Sequence, residues 1–246
     1  QTLPAVLEMT TQANAAIQLN EGQSVLLEFG SRPRTVPTEE PAPAIVVDPA
    51  TGAVLALASS PAVDPIPLAA VNQNQLAAAR NAWAALLDDP RRPLVRRATE
   101  GLYPPGSTFK IVTASAGLQA GMVEPDTVFE DDGSIDVDGH VIVEANRPDE
   151  TVTEWTLTEG FAYSLNVVFA RVGLLIGRRT LEERARAFGI GASIPFDEPV
   201  RSGQIASSDD FLDSDAALAD TAFGQGELLV TPLHMAMVAC AVANGG

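Results

Sequence analysis

The sequence is short of cations, and of lysine most of all. Fifteen lysines and arginines stand against 32 aspartates and glutamates, a formal charge of −17 with a pI near 4.3. Such a surface repels a phosphate backbone over most of its area, which makes nucleic acid a poor partner. The single cysteine, Cys240, excludes an internal disulfide; lying in the apolar run MAMVACAVA, it reads as a buried core thiol. Histidine occurs twice. His140 reads as a surface residue rather than a metal ligand, and His234 as a packing or partly exposed residue. No stretch approaches the roughly 18 apolar residues of a bilayer span, and no basic segment precedes an apolar one at the start. The opening at Gln1 and the close at ANGG read as cut ends, so any export or anchoring segment is expected outside these residues. With 46% of 246 residues hydrophobic, there is ample material for one large globular domain or a domain with a small appendage, and none of the signature of disorder.

Read along the chain, residues 3–19 carry an imperfect apolar stripe that predicts a helix, and VLLEF after them a short strand. Residues 32–43 hold four prolines among charges and read as an exposed connector. In AIVVDPATGAVLALASS (44–60) two β-rich runs flank Asp48-Pro49-Ala50-Thr51-Gly52, a turn in which Pro presets φ and Gly accepts the left-handed position. Both runs are almost wholly apolar, which predicts strands covered on both faces. A helix is expected over 74–88, and Arg91, Arg92, Arg96 and Arg97 after it read as a solvated basic surface rather than an anion site. Pro104-Pro105-Gly106 breaks what precedes it, so Ser107 starts a helix that stops at Gly121. Residues 122–155 are acidic and strand-like. A calcium loop placed on Gly139 would put Ser134 first and Ala145 twelfth, where the bidentate Glu belongs, and is set aside. Thr156-Leu157-Thr158-Glu159 is a capping box for a helix to about Tyr163. A second helix spans about 166–175, a third opens at Thr180 and stops at Gly189, and Thr231-Pro232 opens a last one.

The chain's only lysine, Lys110, follows Ser107 by three residues, against fourteen arginines elsewhere. Arginine cannot lose its proton in a protein and lysine can. Residues i and i+3 share a helix face, so Ser107 Oγ and Lys110 Nζ are expected within hydrogen-bond reach, as nucleophile and base. At a reference pKa near 10.4 only about one amine in 2,500 is neutral at pH 7, a deficit of roughly 4.6 kcal/mol that burial and a neighbouring cation must remove. At a helix N-terminus the Ser107 N–H is free to stabilise an oxyanion. The implied chemistry is acyl transfer through an acyl-serine.

A second motif, Ser164-Leu165-Asn166 in FAYSLNVVFA, turns this pattern into a likeness. From about Ala44 onward the chain resembles the transpeptidase domain of class B penicillin-binding proteins, whose superfamily carries S-x-x-K, S-x-N-type and K-T-G motifs. The likeness runs through AIVVDPATGAVLALASSPAVDP, LYPPGSTFKIVTASAGLQAG, FAYSLNVVFA and FGQGELLVTPLHMA, in the family's order. It implies an α+β fold with a five-stranded antiparallel sheet between helices, the domain occupying 44–246 after a lead-in over 1–43. It also implies a site in which Ser107 attacks the penultimate D-alanine of a peptidoglycan stem peptide and Lys110 is the base. Ser164 would relay a proton to the leaving group, and Asn166 would hold the substrate amide. β-Lactams would acylate Ser107, no cofactor is implied, and divisome or elongasome membrane proteins are the implied partners, at the outer face of the bacterial cytoplasmic membrane. A serine β-lactamase or β-lactam sensor of the same superfamily, or a non-catalytic scaffold, remain the alternatives.

The third motif is absent: with one lysine there is no Lys-Thr-Gly, and no His-Thr-Gly occurs. In the family it lies downstream of VTPLHMA, so its place is expected after Gly246, together with three further strands and the second oxyanion donor. Without that cation Lys110 is expected to stay more basic, and without those strands the 44–60 hairpin is expected to expose an apolar edge that invites a complementing piece or aggregation. Arg96 stands where the family often has Asn.

Overall fold

The computed structural model describes residues 18–20, 24–26 and 42–245. Strands β1 (Gln18–Asn20), β2 (Ser24–Leu26), β3 (Ala42–Val47) and β4 (Val54–Ser60) form an antiparallel sheet in that order. Gln18 and Leu19 are therefore strand rather than part of the helix expected over 3–19; the rest of that expectation, residues 27–29 of the VLLEF strand and the connector up to Pro41 lie outside the described residues. The connector's last two residues, Ala42 and Pro43, already belong to β3.

The β3–β4 hairpin pairs Ala42 with Ser60 through Val47 with Val54. Its turn is held by Asp48, which accepts hydrogen bonds from the Ala50 N–H (2.9 Å) and the Thr51 hydroxyl (2.7 Å), while Gly52 takes a φ of 73°. The expected double coverage fails on β4. Ile45 and Val47 of β3 pack against Leu233 and Ala236, but Leu55 of β4 is 61% exposed and Leu57 37%. The helix Pro232–Ala243 covers one face of β3, whereas β4 is an edge strand of the described sheet. The described sheet has four strands, where two of the family's five were expected in these residues.

Helix α1 (Gln73–Asp88) begins at Asn72, whose side chain accepts from the N–H groups of Asn74 and Gln75. Of the four arginines that follow, Arg91, Arg92 and Arg96 are exposed as expected, and Arg97 departs from the expectation. Arg97, in the short α2 (Arg97–Glu100), is 5% exposed and donates to the carbonyls of Val95 and Arg91; Arg96 pairs with Glu100 and Glu198; Arg91 pairs with Asp89.

A 3₁₀ turn (Gly106–Phe109) runs into α3 (Lys110–Gln119), which ends before Gly121 at φ 65°. Two small ribbons follow, β5 (Val128–Glu130) paired with β8 (Glu154–Thr156) and β6 (Ser134–Val137) paired with β7 (His140–Val143). The segment once compared with a calcium loop is thus a hairpin, and His140, exposed as expected, pairs with Asp220 at 3.0 Å. The capping box at Thr156 and Glu159 forms as predicted and opens α4 (Leu157–Ala162).

Helix α5 (Asn166–Ala187) is interrupted at Gly177, which is non-helical at φ 75° and ψ 163°. The break between two helices is real but falls three residues before the expected start at Thr180. Helices α6 (Asp215–Ala222) and α7 (Pro232–Ala243) complete the fold. The main core lies among α3, α5 and α6, where Val112, Val168, Phe169, Val172 and Ala222 are fully enclosed. A side chain at Gly173 would meet Ala222 Cβ at 2.3 Å, so glycine there sets the close approach of α5 to α6. Burial of each large apolar side chain contributes about 1.5–3 kcal/mol.

His234 is fully buried on α7. Its Nδ1 lies 3.0 Å from Thr231 Oγ1 and its Nε2 3.2 Å from the Gly189 carbonyl, and burial holds its proton affinity below the usual imidazole range. Cys240 is half-buried rather than buried, beside the 49–52 turn, with its thiol pKa pushed up by burial and then by Asp48.

Candidate active site

The 3₁₀ turn places Ser107 at its second position, ahead of any intrahelical acceptor for its N–H, and leaves the side chain exposed. Ser107 Oγ has no hydrogen-bond partner among the described residues. The turn is braced from the far end of the sequence. Gly106 N–H donates to the Gly224 carbonyl (2.9 Å), and Tyr103 and Val230 exchange both backbone bonds at 2.9 Å. This is why FGQGELLVTP resembles a site block although no acid–base group in it reaches Ser107. Gly224 has a φ of 89°, and a Cβ there would lie 1.9 Å from the Gly106 carbonyl oxygen. Gly224→Ala is expected to cost about 2–4 kcal/mol, from the left-handed backbone and the displaced turn, measured by urea unfolding. A cost under 0.5 kcal/mol would show that the brace is slack.

Lys110 is 2% exposed, with its amine 5.5 Å from the centre of the Phe169 ring. Nζ donates to the Ser164 carbonyl (2.6 Å), Ser164 Oγ (3.1 Å) and Asn166 Oδ1 (2.8 Å). The two motifs, more than 50 residues apart, therefore meet at one amine. The expected direct bond from Ser107 to Lys110 is not made; all three N–H directions of the ammonium are spent on the second motif. Burial lowers the Lys110 pKa to about 7, against a smaller opposing effect of the Glu144 carboxylate. Desolvation thus removes most of the roughly 4.6 kcal/mol deficit at pH 7.

Ser164 itself sits at φ 59°, a left-handed conformation that a non-glycine residue holds only when its surroundings fix it. Its carbonyl accepts from Lys110 and from Asn146 Nδ2 at 3.2 Å. Residues Glu144 and Asn146, which sequence reasoning did not single out, complete this corner. Two cavities lie elsewhere, one of about 520 Å³ between Glu182 and Gln204 and another of about 490 Å³ beside Cys240, neither lined by Ser107, Lys110, Ser164 or Asn166.

Residues 42–246 match the family described as the penicillin-binding protein transpeptidase domain. The chain belongs to that family. Peptidoglycan D,D-transpeptidase PbpA of Mycolicibacterium smegmatis is 36% identical over 208 residues, covering 82% of this chain and 40% of that protein. Peptidoglycan D,D-transpeptidase MrdA of Escherichia coli is 30% identical over 216 residues, covering 82% and 32%. The imipenem acyl-enzyme of penicillin-binding protein A from M. tuberculosis superposes with a TM-score of 0.76 at 34% identity, covering 83% of this chain and 46% of that one. The chain thus spans less than half the length of the relatives it matches. The α+β fold expected from the sequence is that of the penicillin-binding proteins.

Proposed function

We propose that this chain carries the acyl-transfer machinery of a peptidoglycan D,D-transpeptidase. The observation that carries the reading is a buried amine of lowered proton affinity, held by Ser164 and Asn166 one helical turn from an exposed serine at a helix N-terminus. Neutral Lys110 takes the Ser107 Oγ proton as Oγ bonds to the carbonyl carbon of the penultimate D-alanine. The Ser107 N–H supports the oxyanion, and the proton passes through the Ser164 hydroxyl to the departing D-alanine amine as the C–N bond breaks. An amine of a neighbouring stem then attacks the ester, forms the cross-link and returns the proton to Ser107. Asn166 orients the substrate amide as well as Lys110. A β-lactam, whose strained amide presents the same carbonyl, stops at the acyl-serine. Since the substrate lies outside the cytoplasmic membrane, the site works on that membrane's outer face, with membrane proteins of the division or elongation machinery as its neighbours. Among the described residues no helix is long and apolar enough to cross a membrane.

Incubation with benzylpenicillin followed by intact-mass measurement tests the proposal. The expected result is one adduct that persists for minutes or longer and is lost in Ser107→Ala. An adduct cleared within seconds would favour the β-lactamase alternative, and an adduct retained in Ser107→Ala, or none at all, would overturn the reading.

A further inference from the structure

Four backbone N–H groups converge on a buried carboxylate that takes no part in the chemistry above. Glu144, just beyond the end of β7, is 9% exposed. Its Oε1 accepts from Ala145 and Asn146, each at 2.9 Å; its Oε2 accepts from Val167 at 3.1 Å and from Asn166. Asn166 and Val167 open α5, whose N-cap position is Leu165, a residue with no side-chain oxygen to offer. Glu144 supplies from 22 residues upstream the acceptor that an Asp or Ser at that position would provide, and its charge suits the positive end of a long helix. One residue further on, Asn146 grips the Ser164 carbonyl. The 144–146 corner therefore holds the second motif on both sides of Leu165, and with it every acceptor that Lys110 Nζ uses.

We propose that Glu144 is a positioning residue of the acyl-transfer site, holding Ser164 and Asn166 in register for Lys110 and presenting a fixed negative charge to the Lys110 amine. The inference rests on the acyl-transfer reading for its purpose, but its geometry stands alone. The charge favours the protonated amine and so opposes burial. Two other charged groups bear on this corner. Asp131, fully buried, repels Glu144 and has its own carboxyl pKa raised, by burial first; Arg147 faces Asp131 and donates to its carbonyl. Neither Asp131 nor Arg147 contributes to the Lys110 shift, so the removable charge is that of Glu144.

Because Lys110 is the only lysine, protein labelled with ¹³C at lysine Cε gives one side-chain signal, and its pH titration reads the amine without substrate. The wild-type midpoint is expected near 7 and that of Glu144→Gln below it, with Glu144→Asp, which keeps the charge, close to wild type. An unchanged midpoint in folded Glu144→Gln would overturn the proposal. Should that variant fail to fold, wild-type hydrogen exchange decides. The amides of Asn166 and Val167, which have no intrahelical acceptor, are expected to be protected, and exchange at the unstructured rate would overturn the proposal. A missing benzylpenicillin adduct would bear on Ser107 and leave both readouts standing.

Discussion

Lys110→Arg is expected to slow acylation of Ser107 by about 10²–10⁴-fold, the usual contribution of a positioned general base, although it preserves the charge. Arginine's guanidinium can donate to the Ser164 carbonyl and to Asn166 Oδ1 as the amine does, so the pairing of the two motifs has a route to survive. The proton cannot leave. A guanidinium stays charged at any pH the protein tolerates, whereas burial has brought the Lys110 amine to about 7. The measurement is the rate of adduct formation with benzylpenicillin by intact mass, with thermal unfolding to confirm that the variant is folded. A rate within fivefold of wild type would mean that Lys110 works through its charge, and the base would have to be sought elsewhere. The solitary lysine among fourteen arginines is what makes the substitution discriminating: the chain uses arginine wherever a permanent cation suffices.

Much of this site is legible in the sequence because local rules place it. Proline and glycine before Ser107 force a helix start, a spacing of three puts Lys110 on the same face, and the capping box at Thr156 fixes where the second motif follows. What the spacing could not give was direction. Lys110 turns toward Ser164 and Asn166 rather than toward Ser107, its amine lying over the ring of the fully buried Phe169 and bonded to acceptors more than 50 residues away. Glu144 was illegible for the same reason, since the ribbon that delivers it bonds to α5 only in three dimensions. One signal was available: a helix opening at Asn166 after Ser-Leu has no capping residue of its own, and the missing acceptor had to come from elsewhere. In the sheet, composition misled. The apolar run of β4 predicts coverage on both sides, but coverage depends on which elements pack against a strand, and at the edge of the described sheet Leu55 and Leu57 have none.

The burial that prepares Lys110 for catalysis should also be visible as a pH-dependent loss of stability. In the folded chain the amine has a pKa of about 7, while in the unfolded chain it returns to about 10.4. Below pH 7 both states hold the proton, and the folded state bears the full penalty of a buried charge. Between 7 and about 10.4 the unfolded state binds one proton more than the folded state, so this group makes stability rise with pH by about 1.4 kcal/mol per unit, roughly 4–5 kcal/mol across the window. Lys110→Met removes the titration, and the difference in unfolding free energy between wild type and variant, measured in urea from pH 7 to 9.5, should shift toward wild type at about that slope. At neutral pH Met relieves desolvation but strands the Ser164 carbonyl and Asn166 Oδ1 without a donor, so the slope rather than any single value carries the test. Parallel pH profiles would mean that the amine titrates near its ordinary value, and the general-base reading would then lose the energetic argument that supports it. A slope of the expected sign would tie the two properties together: this amine costs the fold most in the pH range where it is charged, because the pocket that desolvates the ammonium is the same one that frees the lone pair to accept the Ser107 proton.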